Sequence, residues 1–323
     1  MQQFVPLVGI ARLASAGSVV EEKRRVEYRS LPTRKWLNRC NSQRVPFHWS
    51  INPYRGCEYG CKYCYARFTH QLMERHDPAA FETEIYAKDW DPIAFEQELK
   101  SVKPAHILGI GTATDPYQPA ERKFRRTRQV LQAMLKLRGN SIFITTKSNL
   151  VSRDADLLKR LGEHNQVGVT LTVTTMNRSL ARLLEPYAPR PDLRMQAVAE
   201  LRTAGVSAGV IANPVLPLLT DSEKNLEAVA KAAKAAQADE FGANVVFLKP
   251  AAQRVFFPFL AEHFPQYLRR YENAFRAGAY LHGAYPERIR QLVQDIRERT
   301  GLPSRDLARL SPPPLPESQL MLF

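Results

Sequence analysis

The sequence predicts an α/β fold, a partial (β/α)6 barrel of TIM type with an N-terminal extension, C-terminal helices and a flexible C-terminal tail. Three observations carry that expectation. Six short apolar runs rich in β-branched residues recur through the middle of the 323-residue chain. Helical patterns separate them, and no glycine-rich dinucleotide fingerprint follows the first run. Strands that alternate with helices at this spacing pair in parallel through crossovers, and six units without the fingerprint favour an incomplete barrel over a Rossmann sheet.

Residues 1–45, with "EEKRRVEYRSLPTRKW" at their centre, are polar, basic and irregular, and read as an extension draped on the main body. The barrel is expected over 46–250. "FHWSIN" forms a short strand entering a cysteine-rich loop, with a helix over Ala66–Glu74 behind it. "AHILGIGT" (105–112) is the second strand, followed by a helix from Pro119 to Leu137, since proline suits a first helical position. "SIFITTKS" (141–148) is the third, with a helix over 152–163 and Ser152 as its candidate cap. "QVGVTLTVTT" (166–175) alternates as a strand does, and helices over 177–185 and 191–204 follow, Gly205 marking a stop. "VSAGVIANPVLP" (206–217), a helix from Asp221 to Ala238 and "ANVVFLKP" (243–250) complete the six units. Residues 251–310 are read as a helical segment with two amphipathic helices over 254–300, and 311–323 as a proline-rich tail with a short apolar tip.

Lys and Arg exceed Asp and Glu by 46 to 32, giving a net charge of +14 and favouring a polyanionic partner. No stretch is apolar for long enough to cross a membrane. The N-terminus lacks a basic start and Arg12 interrupts its apolar run, so it is not read as an export signal. Four cysteines, three of them clustered, do not make a disulfide framework, and a reducing cytoplasm is expected.

The strongest local signal is "NPYRGCEYGCKYCYAR" (52–67), in which Cys57, Cys61 and Cys64 follow a C-x3-C-x2-C spacing. A structural zinc site wants a fourth ligand, for which Cys40, His48 and His70 are the nearby candidates. A ferredoxin-type cluster wants four cysteines. Three ligands on one loop leave one corner of a cluster open to something else.

That segment resembles the radical S-adenosylmethionine (SAM) superfamily, in which the motif holds a 4Fe–4S cluster and SAM chelates the open iron. The aromatic residue before the last cysteine is matched by Tyr63. The words "TATDPYQPAER", "TTKS" and "LLEP" then occur in the order of the group resembling spore photoproduct lyase, over roughly Pro46–Pro250. The resemblance implies a cytoplasmic bacterial enzyme that cleaves SAM to a 5′-deoxyadenosyl radical and acts on nucleic acid, with a reductase or a flavodoxin- or ferredoxin-type protein as electron donor. It implies that Cys57, Cys61 and Cys64 bind the cluster and that Tyr63, Thr114 and Lys147 help to hold SAM. Beside this, Lys147 also reads as a rim ion pair, Asp115 as a ribose ligand or a turn residue, and Glu185 as the partner of Arg190 or Arg194. One departure is visible: where the lyase has a hydrogen-donating cysteine this chain has Thr112, and Cys40 is the one spare thiol.

Helix 119–137 opens with "ERKFRRTR", and Arg122, Arg125 and Arg126 would share a face there, as a phosphate track or as a solvated surface. Tyr54, Tyr65 and Tyr117 near the same rim are read as stacking or as packing residues. The last five residues, "QLMLF", resemble the peptides with which bacterial proteins dock on the DNA polymerase sliding clamp, through Gln319, Leu320, Leu322 and Phe323. The alternative is that the tail folds back into an apolar groove of its own barrel. For the whole chain the rival readings are a radical SAM enzyme acting on RNA or a protein side chain, and a non-catalytic iron–sulfur or zinc adaptor that binds nucleic acid.

Overall fold

The computed structural model describes residues 7–22, 26–33, 35–41 and 45–304. The clamp-like residues Gln319, Leu320, Leu322 and Phe323 lie outside them. In chain order the strands are β1 (Val19–Glu22), β2 (Glu27–Leu31), β3 (Leu37–Arg39), β4 (Trp49–Ile51), β5 (Tyr54–Arg55), β6 (Glu84–Lys88), β7 (Ile107–Ile110), β8 (Ser141–Thr146), β9 (Gln166–Thr172), β10 (Ser207–Val215) and β11 (Phe241–Val245). Among the described residues, no helix is long and apolar enough to cross a membrane.

The expected six-unit barrel is present. Strands β4, β7, β8, β9, β10 and β11 are joined in that order by parallel pairing. β3 adds antiparallel to the free side of β4, so β11 and β3 end the sheet and the barrel is not closed. Its apolar strand residues, among them Ile142, Ile144, Val169, Leu171 and Val210, form one buried cluster with the crossover helices. Strands buried on both faces need the near-continuous β-branched runs by which the sequence betrays them.

Several elements differ from expectation, each for a local reason. The helix over Pro119–Leu137 is two helices, Ala120–Phe124 and Arg126–Met134, separated by Arg125 in the left-handed region at φ 53°. Glu121 causes the break. Its buried carboxylate turns back to accept from the backbone N–H of Thr127 at 2.9 Å and of Arg128 at 3.2 Å, satisfying the first turn of the second helix. Arg122 and Arg125 therefore share no continuous helical face with Arg126, whose guanidinium is spent on the carbonyls of Lys88 and Phe124. Ser148, not Ser152, caps the segment after β8, accepting from the N–H of Leu150. The helix over Ala66–Glu74 shortens to a 3-10 turn at Tyr65–Arg67 and a helix at Phe68–Gln71.

The last strand begins at Phe241 and ends before Pro250, which opens a helix instead. After it come three helices rather than two, Pro250–His263, Pro265–Phe275 and Ala284–Thr300. The first break is set by Pro265, which disfavours helical geometry at Phe264.

The N-terminal extension is more than a drape. β1 and β2 join β6 and β5 in a second, four-stranded sheet, order β1-β2-β6-β5. One face packs Tyr28, Ile85, Ala87 and Tyr54 against Ala120 and Phe124. The other carries Leu31 and Tyr86 beneath helix Gly9–Ala16. The charges of residues 1–45 hid this sheet, whose strands are too short to show a period.

This sheet buries a lysine. Lys88 is 3% exposed, its Nζ donating to the carbonyl of Lys35 at 3.0 Å and lying 5.2 Å from the Trp36 ring. Burial pushes its pKa down to about 7, with Arg55 adding and Glu98 opposing. Below that pKa the folded chain carries a poorly solvated charge. Between about 7 and the ordinary lysine value the unfolded chain binds the extra proton, so this group makes stability rise with pH. Lys88→Met should therefore raise the melting temperature at pH 6, and the gain should narrow towards pH 10, as read by thermal unfolding across that range.

Candidate active site

The three cysteines lie on the loop that leaves the C-terminal end of β4 and passes through β5, the end of a parallel barrel where functional loops collect. Two glycines let the loop fold. Gly56 has φ 79°, and a Cβ there would stand 2.7 Å from the Glu84 carbonyl and 2.9 Å from that of Phe81. Gly60 has φ 64°, and a Cβ there would stand 3.0 Å from the Tyr187 ring. Backbone bonds then fix the path: Cys57 N–H to Phe81, Lys62 N–H to Leu184, and Tyr187 N–H to the carbonyl of Tyr59.

Polar side chains pin the loop to the rest of the barrel. Glu58, buried, accepts from the Tyr28 hydroxyl at 3.0 Å and from the Ala120 N–H at 2.8 Å, so one carboxylate joins the extension, the loop and the start of a barrel helix. Gln118 brackets the loop, accepting from Glu58 N–H and donating to the Gly56 carbonyl at 2.9 Å. Arg67 reaches back to the Cys61 carbonyl at 3.1 Å while paired with Glu82 at 2.9 Å. Sequence reasoning missed Glu58 and Gln118, whose partners lie far away along the chain, and Arg67, whose nearer partners Cys61 and Glu82 follow no recognisable spacing.

Cys57 and Cys61 are buried and Cys64 is half-buried. Burial pushes the Cys57 thiol up, and the Cys61 thiol up to about 12, where Lys147 and Arg194 pull against it. Tyr59, Tyr63, Leu216 and Leu248 pack in the same apolar cluster as these cysteines, together with Phe256 and Phe259 of helix Pro250–His263 and Tyr271 and Phe275 of the next helix. The C-terminal helices thus pack against the loop and bury Cys57 and Cys61.

Beneath the loop is a buried polar group. The Tyr63 hydroxyl donates to Glu185, whose other oxygen is 2.5 Å from Arg194. Arg194 also donates to the carbonyls of Thr172 at 2.9 Å and Pro189 at 2.7 Å. Of the two arginines considered for Glu185, the partner is Arg194; Arg190 pairs with Asp192 on the surface. Glu185 is held below the usual carboxylate range, burial raising it and Arg194 and Lys147 more than offsetting that.

Lys147, at the end of β8, is half-buried with Nζ 5.8 Å from the Tyr63 ring centroid. Burial lowers its pKa, and the neighbouring Cys61 and Glu185 more than restore it, so the side chain is a cation. Asp115 takes the turn role: its carboxylate accepts from the Thr146 hydroxyl at 2.6 Å and from the backbone N–H of Lys147 at 2.7 Å and Tyr117 at 2.9 Å. It fixes where Lys147 leaves the strand. Thr114 is buried beside the loop, its hydroxyl donating to the Tyr54 carbonyl at 3.1 Å. Tyr54 and Tyr117 are buried packing residues, Tyr54 donating to Glu121 at 2.5 Å, whereas Tyr65 is only partly buried, its hydroxyl on the Thr112 carbonyl.

Thr112 itself accepts from the Asn52 amide at 3.0 Å. Cys40 stands at the other end of the barrel. β3 runs antiparallel to β4 with Arg39 opposite Trp49, and Cys40 N–H reaches His48, so the thiol lies at the N-terminal end of the strand whose C-terminal end launches the cysteine loop.

The donor set fits the cluster its spacing suggests. Three soft sulfur ligands sit on one glycine-bent loop, in apolar surroundings, with two cations near enough to offset thiolate charge. The Radical SAM superfamily model matches residues 51–235. An uncharacterized protein of Mycobacterium tuberculosis is 30% identical over 259 residues, covering 79% of this chain and 75% of that one. One of Methanocaldococcus jannaschii is 32% identical over 188 residues, 57% of this chain and 66% of that one. Among solved structures, spore photoproduct lyase complexed with dinucleoside spore photoproduct aligns with a TM-score of 0.65 at 14% identity, covering 93% of this chain and 85% of that chain. Streptococcus suis SuiB bound to precursor peptide SuiA aligns at 0.50 and 15% identity, covering 79% and 47%. These likenesses are to the fold.

Breaking the buried pair tests the architecture. Arg194→Met removes the ion-pair partner of the buried Glu185, and should cost on the order of 3–5 kcal/mol of stability by denaturant unfolding. Arg190→Met, on the surface, should cost about 0.5 kcal/mol or less.

Proposed function

This chain belongs to the radical SAM superfamily, and from that premise we propose an enzyme that makes a 5′-deoxyadenosyl radical and uses it on nucleic acid, in DNA repair or base modification. The observation that carries the reading is the three-cysteine loop with Lys147 beside it. Cys57, Cys61 and Cys64 would hold three irons of a 4Fe–4S cluster, with SAM on the open iron. When bound, that pair supplies reductive cleavage of a SAM C–S bond.

The chain's own residues prepare the place. Lys147 offers a fixed cation to a carboxylate, positioned by Asp115 through its own backbone N–H. Thr114 keeps an acceptor lone pair after donating to Tyr54. Tyr63, locked by Glu185, supplies a ring face under the Lys147 side chain. The C-terminal helices pack against the loop and limit the side reactions open to a radical formed there. A reductase or a flavodoxin- or ferredoxin-type protein would deliver the electron.

Nucleic acid as the substrate is supported by the net charge of +14 and by the sequence words shared with the lyase group. Reversal of a thymine dimer by a cysteine hydrogen donor is not supported. Thr112 offers only a strong O–H bond, and Cys40 sits at the far end of the barrel.

Anaerobic reconstitution with iron and sulfide, then dithionite and SAM, should yield 5′-deoxyadenosine by chromatography, and Cys61→Ala should reduce it to background. A reconstituted cluster that never cleaves SAM would instead make the chain a non-catalytic adaptor.

The same reading assigns Gln319, Leu320, Leu322 and Phe323 to the sliding clamp, with the proline-rich stretch before them as a tether. The double change Leu320→Ala, Phe323→Ala should weaken binding of the full chain to a bacterial clamp on the order of tenfold or more by surface plasmon resonance, since apolar anchors dominate such contacts. Unchanged binding would remove the clamp from the proposal.

A further inference from the structure

On one side the barrel sheet ends at β11, and the chain itself returns to that edge. Gly301, in the left-handed region at φ 66°, ends the helix Ala284–Thr300 and turns the backbone. Leu302 is then buried in the main apolar cluster, and the Pro303 carbonyl accepts from the Phe241 N–H at 3.1 Å. That bond lies on the free side of β11. On the other side, Val210 N–H donates to the Glu240 carbonyl and Val246 N–H to that of Val215, so the even-numbered residues carry the pairing with β10. Phe241, Ala243 and Val245 therefore turn their N–H and C=O groups outward. Among the described residues, the N–H groups of Ala243 and Val245 make no hydrogen bond.

Beside this edge runs a groove of about 600 Å³. Ile211, Val245, Ile289 and Val293 give it apolar walls, Arg297 adds a cation, and Ser304 lies in its lining. The groove thus starts where Ser304 leaves Phe241 and reaches Val245 at the other end of the strand. An edge strand with unused donors beside an apolar groove suits an extended segment, which satisfies the backbone and fills the groove with alternate side chains. The chain that enters the groove is its own. Residues 305–310, "RDLARL", contain neither proline nor glycine, and the prolines begin at Pro312. Five residues at a strand's rise span roughly 16 Å, matching the five residues of β11.

We infer that residues 305–309 dock on the free edge of β11 as an added parallel strand. The Pro303 bond fixes the register. Continuing from it, Arg305 N–H donates to the Phe241 carbonyl and the Arg305 carbonyl accepts from Ala243; Leu307 N–H donates to the Ala243 carbonyl and the Leu307 carbonyl accepts from Val245. Asp306 then lies beside Ala243 on the face shared with Phe241, which packs in one cluster with Ile289 and Val293, and so on the side of the groove that carries Arg297. The docking stands independently of the nucleic-acid reading. It covers the open edge of the sheet, and the proline-rich stretch leaves the body at the C-terminal end of the strands, the end that launches the cysteine loop.

Hydrogen exchange at the amides of Ala243 and Val245, followed by NMR in the full chain, tests this. Both amides should be protected in the wild type. Leu307→Pro removes a donor that faces β11 and should speed their exchange about tenfold or more. Ala308→Pro removes a donor that faces away and should leave both protected. Asp306→Lys should act in the direction of Leu307→Pro, through repulsion by Arg297. Unprotected amides in the wild type, or equal exchange in the two proline variants, overturn the docking. Protection that ignores both prolines and grows with protein concentration would overturn it too, and assign the edge to a second copy of the chain.

Discussion

The structure depends on one buried ion pair, Glu185 with Arg194, and on the hydroxyl of Tyr63 that Glu185 also holds. Taking two charges out of water is costly, and the cost is offset only where geometry is good and the remaining hydrogen bonds are made. Arg194 meets that condition by donating to the carbonyls of Thr172 and Pro189 as well, which lie at the end of β9 and just before its own helix. The pair therefore ties a strand end, a helix start and the cysteine loop into one unit. Tyr63 sits between Cys61 and Cys64 in sequence and packs in the same cluster as the cysteines, so Glu185 anchors the segment that carries them.

The same logic recurs around the loop. Buried carboxylates act as junctions: Glu58 joins the N-terminal sheet to the loop, Glu121 joins two helices, and Asp115 orients the start of the Lys147 segment. Each accepts from several donors at once, backbone N–H groups and hydroxyls in all three and the Arg153 guanidinium as well at Glu121. A loop built this way is rigid without regular secondary structure. That suits a site in which three thiols are to be held at fixed separations.

The basic character of the chain distributes differently from a simple reading of its arginines. Arg67, Arg126, Arg128, Arg153 and Arg194 are consumed by internal partners. Among the described residues, exposed cations open to a polyanion include Arg122 and Arg125 on a broken helix. Net charge speaks to partners, and burial decides which charges take part.

The sequence by itself determined the order of the six barrel units, the loop that carries the three cysteines and the spacing of those cysteines. Each is a local property: apolar runs long enough to be buried on both faces, and thiols and glycines at fixed spacing on a few residues. It also limited the partner of Glu185 to two arginines. Tertiary structure decided what depends on distance through space. It chose Arg194, which is buried where Arg190 is not, and it turned Asp115 into a turn anchor. It broke the helix at Arg125 because a glutamate four residues earlier had a better use for the next turn's N–H groups. It sent Cys40 to the opposite end of the barrel from the cysteine loop, because antiparallel pairing of β3 with β4 reverses the chain. It also built a sheet from residues 19–22, 27–31, 54–55 and 84–88, whose partners are too far apart along the chain for any periodicity to connect them.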